Sequence, residues 1–240
     1  QALSKYLPNS ALKSNFSVKF SPSALIAFIT CPLRFYFRHI VKLSEKEEPE
    51  EQMEANTFGN ILHAAMEFAY TDVVELTKEK LDNLSKNTEH ILDQAIRKEF
   101  PAAGELEGKN ILLKNVILEL IEKIFRLDSK EVPFRILALE KEVNEVFKIN
   151  DTQSVLIHGY IDRIDELNGG IRILDYKTGK VAKKKFNEIA DLFHDPVYKE
   201  QFQAMLYAFL VRKNYLDSAI RSGLITLKDL SNGIWYLQQG

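Results

Sequence analysis

Apolar residues recur at helical spacing through the first half of the chain and at strand spacing through much of the second. Ser21-Pro22 sets an N-cap residue before a proline at the first helical position, and Leu25, Ile26, Phe28 and Ile29 carry a helix onward. Cys31-Pro32 interrupts it, and Leu33, Phe35, Tyr36, Phe37 and Ile40 predict a second helix. Phe58, Ile61, Leu62, Ala65 and Ala69 form the apolar stripe of a helix predicted over 56–77. Two scaffold helices are expected at 88–100 and 109–127, with Pro101-Ala102-Ala103-Gly104 looping between them. A strand is expected within 131–150, followed by β-rich runs at 155–167 and 171–177. His194-Asp195-Pro196 marks a turn. Phe202, Met205, Leu206, Phe209 and Leu210 are the inward face of a helix over 198–213, and strands follow at 220–227 and 234–237. Residues 1–20 lack periodicity and read as a tail or linker, while the acidic stretch 44–56 reads as an exposed loop. The order predicts an α/β fold: one domain over 21–240, helical to about 130 and an α/β core from about 131.

The two runs at 155–167 and 171–177 flank Asn168-Gly169-Gly170. Asn-Gly is a strong hairpin signal, because both central residues of a type I′ turn need positive φ. A turn at Asn168-Gly169 pairs Leu167 with Gly170 and sets Asp162 opposite Asp175. Lys177 shares the face of Asp175, since side chains alternate along a strand. A turn at Gly169-Gly170 pairs Asp162 with Lys177 and keeps the same face, whereas a three-residue loop breaks the relation. Two readings fit this convergence. One is a solvated hairpin face with Lys177 as counter-ion. The other is a site where a hard cation offsets the repulsion between two carboxylates, with Lys177 beside them to stabilise charge on a phosphate. The near-apolar run Ile171-Arg172-Ile173-Leu174 suggests a central strand, which favours the second.

Composition narrows this little. The 240 residues are 45% hydrophobic and 28% charged, as in an ordinary globular protein, and hold no apolar run long enough to span a membrane. One cysteine, Cys31, rules out an internal disulfide and an all-cysteine metal site, and suits the cytoplasm. The net charge of −2 counts mildly against a free-standing DNA-coating role, though bound divalent cations would change the local balance.

Gly159-Tyr160-Ile161-Asp162-Arg163-Ile164-Asp165, followed after the turn by Asp175-Tyr176-Lys177-Thr178-Gly179, resembles the PD-(D/E)XK nuclease signature in its RecB/AddB-like form. Gly59 to Glu67 is similar to that family's G-x-x-x-H-x-x-x-E motif, and Gln203 with Tyr207 to its Q-x-x-x-Y motif. The resemblance spans about 21–237 and implies a restriction-endonuclease-like core, a mixed central sheet flanked by helices. It implies a Mg²⁺ or Mn²⁺ site at His63, Asp162, Asp175 and the Tyr176 carbonyl, with Asp162, Asp175 and Lys177 catalytic. Glu67, Gln203 and Tyr207 would be auxiliary or substrate-orienting, and Gln203 and Tyr207 could orient Lys177. An acidic residue often stands on the family's first core strand, so Glu140 is a candidate outer partner, with exposure to solvent the competing expectation. Lys180, Lys183, Lys184 and Lys185 are candidate DNA contacts, and equally a soluble lysine-rich loop.

The segment around Cys31 is similar to the region that supplies the first ligand of an iron–sulfur cluster in some relatives. No other cysteine exists here, so no cluster is expected and Cys31 reads as a buried structural residue. The family implies a metal-dependent DNase, with exonuclease action expected, that serves DNA repair or recombination beside a helicase. No Walker A sequence occurs, so a motor would lie in a partner or elsewhere in a longer chain, of which this would be the C-terminal part. The alternative is a catalytically silent DNA-binding or scaffolding module on the same fold. A metal phosphoesterase acting on small substrates is a third reading.

Overall fold

The structure is a computed structural model and describes residues 18–43, 53–101, 106–151 and 153–238. Most of the expected tail and of the acidic loop lies outside these residues. The last residues of the expected tail do not behave as one: Val18–Phe20 form strand β1. Helix α1 (Pro22–Thr30) starts as its sequence demands, with the Ser21 hydroxyl accepting from the Ala24 N–H at 3.2 Å. Cys31 takes an extended conformation that breaks the helix, and α2 (Pro32–Phe35) follows, running into a π-helical turn at Tyr36–Ile40. Cys31 is half-buried at this junction rather than buried.

Helix α3 (Ala55–Tyr70) ends earlier than the apolar pattern suggests. Thr71-Asp72 turns the chain, with Asp72 at φ 65°, and the later apolar residue Leu76 belongs to the short strand β2 (Glu75–Leu76). Met53, expected in the exposed acidic loop, is buried. Helix α4 (Lys78–Lys86) was not legible in the apolar pattern, because Leu81 is its one buried residue. Helices α5 (Thr88–Glu99) and α6 (Lys109–Asp128) match expectation to within a residue. Ile61, Leu62 and Ala65 of α3, Leu92 of α5 and Ile117 and Ile121 of α6 pack into one core. Each of the leucine and isoleucine side chains, fully buried, contributes ~1.5–3 kcal/mol from desolvation.

The sheet is mixed. Its strands are β3 (Phe134–Lys148), β4 (Ser154–Leu167), β5 (Gly170–Lys177), β6 (Ile220–Thr226) and β7 (Trp235–Tyr236), with β2 at the edge beside β3. Between β5 and β6 lie the short α7 (Asp191–His194) and the long α8 (Lys199–Val211). Strands β3, β4 and β5 run antiparallel in sequence, β5 and β6 run parallel, and α8 lies in the crossover that a parallel pair requires. Strand β4 has different partners at its two ends. Its first part pairs parallel with β1 (Val18 with Val155), and its second part pairs with β5.

Alternation sorts the sheet's side chains between two cores. Leu174, Tyr176 and Ile225 join α3, α5 and α6, while Ile171, Ile173 and Ile164 pack under Tyr207 and Leu210 of α8. Ile161 joins the α8 side as well, three residues from Ile164, so strict alternation slips at Asp162. Phe209 departs from the expected inward face of α8: it is 54% exposed and stacks on Phe147 instead.

Candidate active site

The hairpin turn is the one Asn168-Gly169 predicts. Both residues have positive φ, 52° and 78°, and Leu167 pairs with Gly170. The backbone ladder between β4 and β5 ends at the Arg163–Leu174 pair. Beyond it a side chain takes over: the Tyr176 N–H donates to Asp162 Oδ2 at 2.7 Å. The strands part here, and Asp162, Asp175 and Lys177 line a cleft of about 750 Å³ with His63, Glu140 and Gln203.

His63 enters from α3. Its Nε2 lies 3.2 Å from the Tyr176 carbonyl oxygen, and its Nδ1 lies 3.5 Å from both Asp162 Oδ2 and Glu140 Oε1. Burial pulls the imidazole down, but the charge and hydrogen bond of Asp162, together with Glu140 and Asp175, carry it up to about 11. Such a field favours positive charge at this spot. Asp175 is buried, and burial, with the Asp162 charge adding to it against Lys177, lifts its carboxyl to about 6.

Lys177 is held from two sides. Its ammonium donates to Asp175 Oδ1 at 3.0 Å and to Gln203 Oε1 at 2.9 Å. Gln203 Nε2 donates in turn to the Tyr207 hydroxyl at 3.2 Å. Burial pulls the ammonium down, but the charges of Asp175 and Asp162 outweigh it and raise its pKa, so it stays protonated. Asp175 Oδ2 is buried and makes no hydrogen bond, although it lies 2.8 Å from the same ammonium.

These groups suit a hard divalent cation. His63, Glu140 and Asp162 each offer a ligand atom, all within 4.8 Å of one another. Imidazole and carboxylates with an adjacent backbone carbonyl match what Mg²⁺ and Mn²⁺ accept. Oδ2 of Asp175, which makes no hydrogen bond and is paired only with the Lys177 ammonium, is a further oxygen ligand atom beside them.

Glu140 is the residue that sequence reasoning undervalued. Leu139 pairs with Arg163 and Lys141 with Ile161, which sets Glu140 across from Asp162. Glu140 itself lies in the left-handed region, at φ 40°, and a bulge between Ile136 and Ala138 displaces the register ahead of it. Its side chain is 29% exposed and turned to His63 rather than free in solvent.

Glu67 takes another partner, Lys98 at 3.0 Å, at the rim of the same cleft. Lys183 is paired with Asp229 at 2.7 Å, which leaves Lys180, Lys184 and Lys185 as the exposed lysines of that segment.

Beneath the site lies an ion network that the sequence did not reveal. Arg163 is fully buried and donates to both carboxylate oxygens of Asp128, at 2.8 and 3.0 Å, and to the Tyr176 hydroxyl at 3.3 Å. Asp165 sits between Arg163 and Arg172, and Arg172 also reaches Glu131. The side chain of Tyr176 is thereby fixed by Arg163, while its N–H serves Asp162 and its carbonyl serves His63.

The family described as the PD-(D/E)XK nuclease superfamily matches residues 19–238. The chain belongs to that superfamily. Its mixed sheet flanked by helices is the restriction-endonuclease-like architecture the motifs imply. Similar proteins include an ATP-dependent helicase/deoxyribonuclease component of Carboxydothermus hydrogenoformans, 31% identical over 68% of this chain and 16% of that protein. The RecB component of the RecBCD enzyme of Borreliella burgdorferi is 30% identical over 65% of this chain and 15% of its own length. An ATP-dependent helicase/nuclease component of Clostridium acetobutylicum is 22% identical over 70% of this chain and 14% of its own length. The chain thus spans a minor part of the length of these superfamily relatives. Among the described residues, no helix is long and apolar enough to cross a membrane.

Proposed function

We propose that this chain is a metal-dependent DNA nuclease, the phosphodiester-cleaving module of a helicase–nuclease that acts in DNA repair or recombination in the cytoplasm. One observation carries the reading: the Lys177 ammonium is clamped between Asp175 and Gln203 in the cleft that also gathers His63, Glu140 and Asp162. A solvated counter-ion has no need of a second anchor.

His63, Asp162 and Asp175, with the Tyr176 carbonyl, would hold Mg²⁺ or Mn²⁺, and Glu140 joins them by position. Such an ion, when bound, lowers the pKa of water and polarises a phosphoryl oxygen. The protein's own groups do the remainder. Lys177 carries a permanent positive charge to the place where the attacked phosphate gains negative charge. Gln203 fixes the direction of that ammonium, and Tyr207 fixes Gln203. The Tyr176 N–H holds Asp162 in one orientation beside His63, so the carboxylate is ordered before an ion or substrate arrives. The names of the similar helicase–nuclease proteins support DNA as the substrate and a helicase as the partner.

The test is cleavage of linear and circular DNA, single- and double-stranded, in Mg²⁺, Mn²⁺ or EDTA, with wild type beside Lys177→Ala. Metal-dependent cleavage that disappears in the variant is expected, and cleavage confined to linear DNA would make it an exonuclease. Equal activity in both proteins would refute the assignment. Metal binding without cleavage in either would favour a silent DNA-binding module.

A further inference from the structure

A second cleft, of about 840 Å³, opens beside the segment that follows the hairpin. Arg34 of α2, Arg38 of the π-helical turn, Lys180 after β5 and Lys199 at the start of α8 line it. Glu200 is the one carboxylate in its wall among the described residues. Lys199 lies 3.5 Å from Glu200, and the other oxygen of that carboxylate is buried without a hydrogen bond. Arg34 and Arg38 are exposed, one helical turn apart, and neither has an acidic partner among the described residues. Among the described residues, four cations thus face one carboxylate, in a chain whose net charge is −2. The neighbouring His39 is held below its ordinary value, by burial first and then by the charge of Arg38, as a positive field requires.

The two clefts are consecutive. Thr178 and Gly179 line the first, and Lys180 and Val181 line the second. On α8, Gln203 belongs to the first and Lys199 to the second. Four residues of helix cover about 6 Å, and phosphates along a stacked strand advance ~3.4 Å each. A strand with one phosphate in the active site therefore has its near neighbours at the second cleft.

We propose that this second cleft binds the phosphodiester backbone of the DNA strand being cut, with Arg34, Arg38, Lys180 and Lys199 contacting phosphates away from the cleaved bond. The role rests on the nuclease reading of the first cleft, although the binding can be measured without any turnover. All four of these cations lie outside the lysine run at 183–185, and two come from the N-terminal helical unit. That unit would then serve substrate capture rather than scaffolding alone.

The experiment is a titration of a short fluorescent single-stranded oligonucleotide with the full chain in EDTA, over a range of NaCl, for wild type and Arg34→Ala/Arg38→Ala. Each lost phosphate contact on a single strand lowers the slope of log affinity against log salt by about 0.7, so the double variant should lose about 1.4. Its affinity in low salt should fall by about tenfold or more. Its thermal melt and its Mn²⁺ affinity should match wild type, since both arginines are exposed and neither lines the first cleft. Unchanged affinity and slope would overturn the proposal, as would absence of binding by wild type. Full competition by thymidine monophosphate at the oligonucleotide's own affinity would also overturn it, by showing a small-phosphate site. Binding that depends on the arginines in a protein that cleaves nothing with any metal would uphold the cleft and refute the nuclease reading.

Discussion

Tyr207 closes over Gly159 so tightly that a Cβ on that glycine would lie 2.8 Å from the ring carbon Cε1. Pro22 presses on the same point, at 3.2 and 3.3 Å. Gly159→Ala must therefore push the ring, and Tyr207 is what steadies Gln203 against Lys177. We expect DNA cleavage by this variant to fall by about tenfold to a hundredfold, the scale of a misplaced catalytic group. Denaturant unfolding should show a loss of ~1–3 kcal/mol from overpacking. Wild-type cleavage rates in Gly159→Ala would disprove the link between this contact and the lysine.

Removing the lysine's partners should separate their roles. Gln203→Ala leaves Lys177 its pair with Asp175, while Lys177→Ala deletes the charge itself. Lys177→Ala should lower kcat on the order of 10²–10³-fold, as loss of a preorganised donor does. Gln203→Ala should cost less, roughly tenfold, with KM little altered. Equal losses for the two variants would mean that Gln203 touches substrate directly.

Glu140 offers a test that sets stability against function. Both Glu140→Ala and Glu140→Gly remove the carboxylate facing His63, and each should weaken Mn²⁺ binding by about 10–100-fold in a calorimetric titration. Only glycine relieves the left-handed backbone at φ 40°. Glu140→Gly should therefore be more stable than Glu140→Ala by about 1 kcal/mol in chemical denaturation. The reverse order would show that the backbone relaxes once the carboxylate is gone.

Asp128→Ala leaves the fully buried Arg163 without its bidentate partner. Breaking a buried pair from one side costs ~3–5 kcal/mol. Arg163→Met with Asp128→Leu removes both charges and should recover much of that loss. A double variant as unstable as the single one would mean that the network does more than satisfy itself, through its bond to Tyr176.

How far the sequence discloses the site depends on whether the relevant geometry is local. The turn at Asn168-Gly169 fixes the register of β4 against β5, so the meeting of Asp162, Asp175 and Lys177 followed from counting residues. His63 became a candidate through its motif. Glu140 was obscured because the bulge before Ala138 and the left-handed step at Glu140 break the alternation on which strand reading relies. Asp128 carries no local signal at all, since its partner lies 35 residues away. The end of α3 was misplaced because Val73, Val74 and Leu76 continue an apolar pattern that Thr71-Asp72 has already turned into β2. Strand β1 was missed because three residues are too few to display a period.

The parallel pairing of β1 with β4 has a mechanical consequence. Tension entering the chain ahead of Val18 would load that pair in shear, so its hydrogen bonds would resist together instead of opening one after another. The strand that takes the strain is the one that carries Asp162. A pull on the upstream polypeptide would thus be transmitted along β4 toward Asp162.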